Sequence, residues 1–231
     1  MAEVGTIGIV HHFNLVRLYG FCFERNLRAL VYEFMGNGSL DRFLFSKEKM
    51  LGFEKLHEIA VGTARGIAYL HEEFTDFGLA KLINRENTDV TMTGGRTTPG
   101  YAAPELWMPF PITHKCDVHS YGMLLFEISQ EWFPRWVWKK FEFGELGDLM
   151  ICCGTEEKDK EIAERMVKVA LLCVQHSPQV RPMMSIVVKM LEGAVEIPNP
   201  SSPFEYMTGL PCPVQPAHST QTSSFLDSDW I

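Results

Sequence analysis

Two short strings, Asp76-Phe77-Gly78-Leu79-Ala80-Lys81 and Ala103-Pro104-Glu105, are the most informative part of this sequence. Residues 88–101, at the end of the segment that separates them, are rich in Gly and Thr and are typical of a loop. After the second string, residues 117–129 are apolar on nearly every face, which predicts a helix buried all round. Either string alone occurs easily by chance, but their order and spacing together indicate a loop held between two fixed ends.

Composition narrows the class of protein. The 231 residues are 46% hydrophobic, and 21 Lys and Arg against 29 Asp and Glu give a formal net charge of −8. That charge argues against a general binder of nucleic acid or anionic membranes. The six cysteines contain no C-x-x-C spacing, which favours reduced core residues of an intracellular domain. No apolar run approaches the roughly 18 residues that a membrane span needs, and Met1-Ala2-Glu3 does not begin a signal peptide.

Hydrophobic periodicity predicts an α+β fold with a small mixed piece on a larger helical one. Apolar runs at 15–24 and 28–34, joined by Arg25-Asn26-Leu27, indicate a β-hairpin. Apolar residues at helical spacing predict a long amphipathic helix over 53–73. Further helices are predicted at 3–12, from Ser39 or Asp41 after the Gly36-Asn37-Gly38 turn, and at 117–129, 161–175 and 182–191.

Residues 198–231 differ in amino-acid composition from the rest of the chain. They hold six prolines, many Ser and Thr, no Lys or Arg, and only Glu205, Asp227 and Asp229 as charges. This composition predicts a disordered, acidic Pro/Ser-rich tail that is a candidate for phosphorylation.

These strings resemble the serine/threonine kinase domain of plant receptor-like kinases, most closely the rust-resistance type, over about residues 1–197. In that family the Asp-Phe-Gly and Ala-Pro-Glu strings bracket the activation loop. The resemblance implies a two-lobe kinase-like fold: a reduced N-lobe and hinge at 1–35, made of one helix and a hairpin, and a mainly helical C-lobe at 36–197. It is also carried by Glu3-Val4-Gly5-Thr6-Ile7, Leu15-Val16-Arg17-Leu18, Leu30-Val31-Tyr32-Glu33-Phe34-Met35, Gly62-Thr63-Ala64-Arg65-Gly66 and Asp117-Val118-x-Ser120-Tyr121-Gly122.

The resemblance implies that ATP and Mg²⁺ are the cofactors. Asp76 would bind the metal, and Glu3 would pair with a strand lysine that positions the phosphates. Tyr32 would be the gatekeeper, and the backbone of Glu33 and Met35 would hydrogen-bond adenine.

Other residues have implied structural or regulatory roles. The family's pattern places Ile7, Leu18 and Phe77 in a hydrophobic spine, Glu105 and Arg181 in a buried ion pair, and Asp117 as the anchor of the catalytic loop. The activation loop would carry Thr91, Thr93, Thr97 and Thr98. Thr98 would face the substrate, and Thr97 stands where the family usually has Gly.

Several catalytic parts are missing from this sequence. The catalytic loop H-R-D-L-x-x-x-N needs eight residues, yet only four, 72–75, separate His71 from Asp76. Helix C falls in the first residues, so a Gly-rich phosphate loop and a V-A-I-K lysine are not found before it. Ile128 also runs straight into Ser129, where the family usually has a basic loop. Such abrupt joins indicate a truncated or mis-spliced gene product.

Two functions remain open on the sequence alone. One is a family of ATP-dependent protein serine/threonine kinases whose working parts this sequence omits. The other is a catalytically dead kinase-like scaffold or protein-binding fragment. Both imply protein substrates or partners, no nucleic acid, and a cytoplasmic domain whose full-length relatives are membrane-tethered. We expect undetectable catalysis, and a join at Glu73/Phe74 that is strained or displaces Asp76.

Overall fold

The computed structural model describes residues 11–45, 51–77, 98–107, 111–129, 134–147 and 155–203, with the backbone alone at 74–77. Several predictions concern residues outside these ranges. They are the helix at 3–12 with Glu3 and Ile7, the loop threonines Thr91, Thr93 and Thr97, and most of the C-terminal tail.

The predicted hairpin is confirmed. Strand β1 (Leu18–Phe23) pairs antiparallel with β2 (Arg28–Tyr32), with Leu18 opposite Tyr32 and Phe23 opposite Arg28. The turn closes through the Glu24 N–H, which donates to the Leu27 carbonyl at 2.8 Å. Because these two strands form a sheet by themselves among the described residues, large apolar side chains on both faces remain exposed, including Phe21, Phe23, Leu30 and Val31.

Six α-helices form the rest of the described fold, and all the predicted ones from Asp41 onward are confirmed. They are α1 (Asp41–Leu44), α2 (Phe53–Phe77), α3 (Lys115–Ile128), α4 (Pro134–Glu142), α5 (Lys160–Cys173) and α6 (Met184–Leu191). Helix α4 was not predicted. Its signals are a proline at the first helical position and Val137, Trp138 and Phe141 at helical spacing, with Val137 fully buried.

Helix α2 continues beyond its predicted end at Glu73 and ends at Phe77. No glycine or proline lies between His71 and Gly78, so nothing in the sequence stops the helix earlier. Asp76 and Phe77 therefore occupy its last turn.

The core lies where α2, α3, α5 and α6 meet. Helix α3 is buried along most of its length, as predicted, although Asp117 at its start is exposed. The Tyr121 hydroxyl donates to the Ala60 carbonyl at 2.9 Å and ties α3 to α2. The core side chains include Leu56, Ala60 and Ala64 of α2, Leu125 and Phe126 of α3, Met166 and Leu171 of α5, and Val187 and Leu191 of α6.

Two glycines one helical turn apart let the segment before β1 approach α2. A Cβ on Gly66 would lie 3.1 Å from the Asn14 carbonyl oxygen, and one on Gly62 would lie 2.8 Å from Asn14 Nδ2. The His12 ring stacks on Tyr69 with centroids 4.8 Å apart. The segment is thus held firmly on α2, with its Phe13 side chain 99% exposed.

Cys22, Cys116 and Cys173 are free thiols. Among the helices in the described ranges, none combines the length and apolar character that crossing a bilayer requires.

Candidate functional site

The predicted hinge directly follows β2. The Glu33 N–H donates to the Arg17 carbonyl at 2.8 Å, and the Met35 carbonyl accepts from the Gly38 N–H at 3.3 Å. Gly38 has φ +76, which confirms the predicted turn after the hinge. The side chains of Tyr32 and Met35 are about half exposed, at 47% and 52%. The hinge is therefore an open edge of the hairpin rather than the wall of a closed cleft.

Two cavities lie away from the hinge. One, of about 700 Å³, runs between Phe13-Asn14 and α2, and the other, of about 410 Å³, lies between Lys168 and residues 196–200. Neither is lined by Tyr32, Glu33 or Met35. Within the described residues, these two cavities give no support to an adenine pocket at the hinge.

The predicted metal ligand Asp76 lies on a helix. Its backbone belongs to the last turn of α2, together with that of Phe77, the predicted spine residue. The short join after His71 is thus accommodated by continuing the helix. Leu18, the other described spine residue, is partly buried at the start of β1. Whether the helix displaces Asp76 from a nucleotide stays a prediction.

Asp117 contacts a residue that sequence reasoning did not single out as its partner. Its Oδ2 lies 3.0 Å from Nε2 of His71, near the end of α2. The His71 ring also meets the His114 ring edge-on, with centroids 5.1 Å apart. Burial lowers the pKa of His114, and the neighbouring His71 and Lys115 lower it further.

This histidine–aspartate contact orients the His71 ring. A carboxylate that accepts from an imidazole fixes the position of the ring. Within the described ranges, no group of three or more His, Cys, Asp or Glu side chains is arranged to hold a metal ion. The contact is therefore a link between α2 and α3.

Glu105 and Arg181 form a buried ion pair, which is the pairing that the resemblance implies. The two guanidinium nitrogens donate to the two carboxylate oxygens at 2.6 and 2.8 Å, and both side chains are fully buried. The other three N–H groups of Arg181 donate to carbonyls of Gln175, Lys115 and His176. All five donors of the guanidinium are thus used.

The surroundings of Glu105 shift several pKa values. Burial raises the pKa of the Glu105 carboxyl, but hydrogen bonds from Arg181 and Cys116 lower it, and the net pKa is below the ordinary value of 4.5. Burial and the bond to Glu105 raise the pKa of the Cys116 thiol to about 12. Burial, with the positive Arg181 nearby, lowers the pKa of His119 to about 4. The carboxylate is therefore held charged beside a neutral thiol and a neutral imidazole at pH 7.

The end of the predicted activation loop is tied to α3. The Tyr101 carbonyl accepts from the Ser120 hydroxyl at 2.9 Å, and the Tyr101 hydroxyl donates to Glu127. Burial and Glu127 raise the pKa of Tyr101 to about 12. Thr98, the predicted substrate-facing threonine, is exposed, and its carbonyl accepts from the Tyr101 N–H at 3.2 Å. The threonine thus stands at the edge of a fixed turn.

Comparison with known proteins identifies the family of this arrangement. The model of the family described as "Protein tyrosine and serine/threonine kinase" matches residues 1–74 and 73–191. The two matched stretches overlap at Glu73 and Phe74, which lie within helix α2.

Individual relatives point to plant receptor-like kinases. The chain is 42% identical to a G-type lectin S-receptor-like serine/threonine-protein kinase of Arabidopsis thaliana, over 87% of this chain and 29% of the relative. It is 38% identical to the Rust resistance kinase Lr10 of Triticum aestivum, over 87% of this chain and 39% of the relative. The chain therefore spans well under half the length of these relatives.

A solved structure shares the fold. It is the pseudokinase domain of BIR2, described as an immune regulator of the RLK/Pelle family, and it superposes with a TM-score of 0.67 at 26% identity. The match covers 83% of this chain and 68% of that chain.

Proposed function

This chain belongs to the protein tyrosine and serine/threonine kinase family, and we propose that it acts in receptor-like kinase signalling as a catalytically inactive, protein-binding module. The observation that carries the proposal is the continuous helix from His71 through Asp76. It supports the proposal, because residues 72–75 are part of the helix and do not supply the base that accepts the substrate proton or the second metal ligand. The proposal places the module in the cytoplasm, where the resemblance puts the family's kinase domain.

The missing base and metal ligand matter because phosphoryl transfer depends almost entirely on positioning and electrostatic stabilisation. Asp117, which would anchor a catalytic loop, is instead held by His71 at 3.0 Å. This contact supports the proposal, because the residue that would anchor a catalytic loop is bound to a helix instead.

The described residues fit neither the adenine nor the triphosphate of ATP well. The Glu33 N–H and the Met35 carbonyl are already hydrogen-bonded within the chain, and the only G-x-G string, Gly36-Asn37-Gly38, forms a turn with Gly38 at φ +76. A turn of this kind does not cradle phosphates, which need a glycine-rich loop ahead of helix C. We therefore assign no chemical step to ATP or Mg²⁺ in this chain.

The binding half of the proposal is supported by exposed apolar surface. Phe13 and Phe34 are 99% and 90% exposed, and the hairpin strands expose further aromatic side chains. Exposed apolar side chains are typical of protein contact sites where they form a patch. The solved relative of like fold is itself described as a pseudokinase that regulates immunity, which agrees with a function through contacts.

A nucleotide titration tests the proposal that the chain is catalytically inactive. We expect the melting temperature of the full chain to stay unchanged on addition of Mg²⁺-ATP, and labelled phosphate from ATP not to appear on the chain or on a generic protein substrate. Asp76→Asn serves as the matched variant, and the kinase domain of the wheat relative as the positive control. A saturable rise in melting temperature that Asp76→Asn abolishes, or labelling above the control without enzyme, contradicts the proposal.

A further inference from the structure

The chain after α6 returns to the end of α5. Pro200 and Pro203 are buried there, and Ser201 between them makes a reciprocal contact with Gln175. The Ser201 hydroxyl donates to Gln175 Oε1 at 2.9 Å, and Gln175 Nε2 donates to the Ser201 carbonyl at 2.8 Å. We call residues 200–203 the C-terminal strap.

Gln175 itself is buried and has each of its side-chain polar groups occupied. Its residue is 4% exposed, and Nε2 also donates to the Leu171 carbonyl at 2.9 Å. A buried amide that loses one partner keeps the cost of desolvation without the compensating hydrogen bond. The position of this side chain therefore depends on Ser201.

The same glutamine is bound to the ion pair at the end of the activation segment. The backbone carbonyl of Gln175 accepts from Nε of Arg181 at 2.7 Å, and Arg181 holds Glu105 at 2.6 and 2.8 Å. Three consecutive contacts thus join Ser201 to Glu105, which lies 96 residues earlier in the chain (201 − 105). Buried polar networks of this kind respond as a unit rather than bond by bond.

We propose that the C-terminal strap restrains residues 98–107, the described end of the activation segment. We call this restraint the clasp. Its attachment through Ser201 fixes Gln175, Gln175 fixes the guanidinium of Arg181, and Arg181 fixes Glu105. Detaching the strap loosens residues 98–107 without breaking any contact that those residues make directly. The inference goes beyond the proposed function, because it holds whether or not the chain binds nucleotide.

Hydrogen–deuterium exchange of the full chain tests the clasp. Ser201→Ala removes one hydroxyl from an exposed residue, so the variant is expected to fold. The matched control is Ser177→Ala, whose exposed hydroxyl contacts Gln179 in the neighbouring loop and takes no part in the network. We expect Ser201→Ala to speed exchange in the peptide 98–107 by about threefold or more, because Oε1 of Gln175 loses the hydroxyl that donates to it and Gln175 is held less firmly.

Three exchange results would contradict the clasp. Faster exchange confined to residues 197–203, no change at all, or the same change in Ser177→Ala shows that the strap is local packing only. Gln175→Met, which keeps the length of the side chain and removes its polar atoms, is the second variant. It is expected to speed exchange at 98–107 more than Ser201→Ala, and normal exchange there in a folded Gln175→Met protein also rules the clasp out.

Discussion

Nε2 of His71 lies 3.0 Å from Oδ2 of Asp117, and this contact joins the last turns of α2 to the first turn of α3. In the kinase pattern an aspartate at position 117 anchors the catalytic loop. In this chain the partner of Asp117 is a side chain of helix α2. The contact therefore connects α2 directly to α3.

Replacing Asp117 by Ala should change stability little. Its side chain is 64% exposed, and exposed ion pairs contribute about 0–1 kcal/mol to the free energy of unfolding. We expect urea unfolding to show a larger loss for His71→Ala, because that ring is mostly buried and also contacts His114.

A double-mutant cycle separates the two effects. We expect a coupling energy between His71 and Asp117 of less than about 1 kcal/mol. A much larger coupling would mean that the pair is shielded from water and holds the α2–α3 junction by itself.

Removing one partner of the Glu105–Arg181 pair should greatly lower the free energy of unfolding. Arg181→Met leaves a buried carboxylate uncompensated, which costs about 3–5 kcal/mol of unfolding free energy. Arg181→Lys should rescue little of this, since an ammonium group has three donors where the site uses five. Urea unfolding of both variants provides the measurement.

The exposed pair Arg165–Glu161 supplies the control, and Arg165→Met should cost less than about 1 kcal/mol. Acid titration gives a second check on the buried pair. Because the folded-state pKa of Glu105 is below 4.5, its contribution is complete above that pH and is lost only as the pH falls through the folded-state value. Loss of the pair's contribution already at pH 5–6 would contradict this assignment.

The contacts at these two sites differ in how far the sequence could reveal them. The Glu105–Arg181 pair follows from matching two motif positions, because both residues and their surroundings are present. The His71–Asp117 contact was not predicted, since it joins two helices 46 residues apart and depends on how α2 packs against α3. Local signals at residues 72–75 do not stop a helix, but the pattern of a complete kinase led us to expect a strained join there.

Local sequence patterns also explain which other elements could be predicted and which could not. The hairpin, α2 and the helices of the core follow from periodicity that tertiary contacts do not override. Helix α4 lies in a stretch where three aromatic residues and two lysines obscure the pattern, although its first proline and the spacing of its apolar residues are helix signals. The composition of residues 198–231 predicts a tail, and this range includes the C-terminal strap. The sequence does not reveal the strap's attachment, because the partner of Ser201 lies 26 residues earlier (201 − 175).

Burial of His119 predicts a pH dependence of stability. Its folded-state pKa of about 4 lies below the ordinary 6.5, so the unfolded chain takes up the proton first as the pH falls. The stability that the neutral ring preserves is complete above about pH 6.5 and is lost between there and pH 4, by up to about 3 kcal/mol.

Unfolding free energies measured by urea from pH 7 to pH 4 check this effect. His119→Gln should flatten the slope in that range. Some slope will remain, because the lowered pKa of His114 acts in the same direction. The exposed His11→Gln is the control, and an unchanged slope in His119→Gln would remove His119 from the explanation.

The exposed face of the hairpin should bind hydrophobic dye. Phe21 and Leu30 lie opposite each other in the register and are 54% and 51% exposed. Replacing both by Ser should reduce the fluorescence of anilinonaphthalene sulfonate and self-association in sedimentation, while the unfolding free energy changes by no more than about 1 kcal/mol. Leu125→Ala, in the core, should instead raise dye binding, and a large loss of stability in the hairpin variant would show that this face is covered.

Gly122 is the position where adding one methyl group should be most costly. A Cβ there would lie 2.7 Å from Cβ of Cys173 and 2.8 Å from Cγ1 of Val174, at the crossing of α3 with the end of α5. Both helices are fixed in the core, so the overlap must be relieved by moving backbone, which costs about 1–3 kcal/mol or more. We expect urea unfolding of Gly122→Ala to show this loss. Gly20→Ala, where no atom lies within 4 Å of the new Cβ, is the control and should be nearly neutral.

Gly62→Ala and a rescue experiment make this prediction specific. The new Cβ at position 62 meets only the amide of Asn14 at 2.8 Å, a side chain that can rotate away, so the loss should fall between those of the other two glycine variants. Cys173→Ala should not rescue Gly122→Ala, because alanine keeps the Cβ that is overlapped. Val174→Ala removes Cγ1 and should recover part of the loss. Rescue by Cys173→Ala, or equal losses at Gly122 and Gly20, would show that α3 and α5 are not packed at this distance.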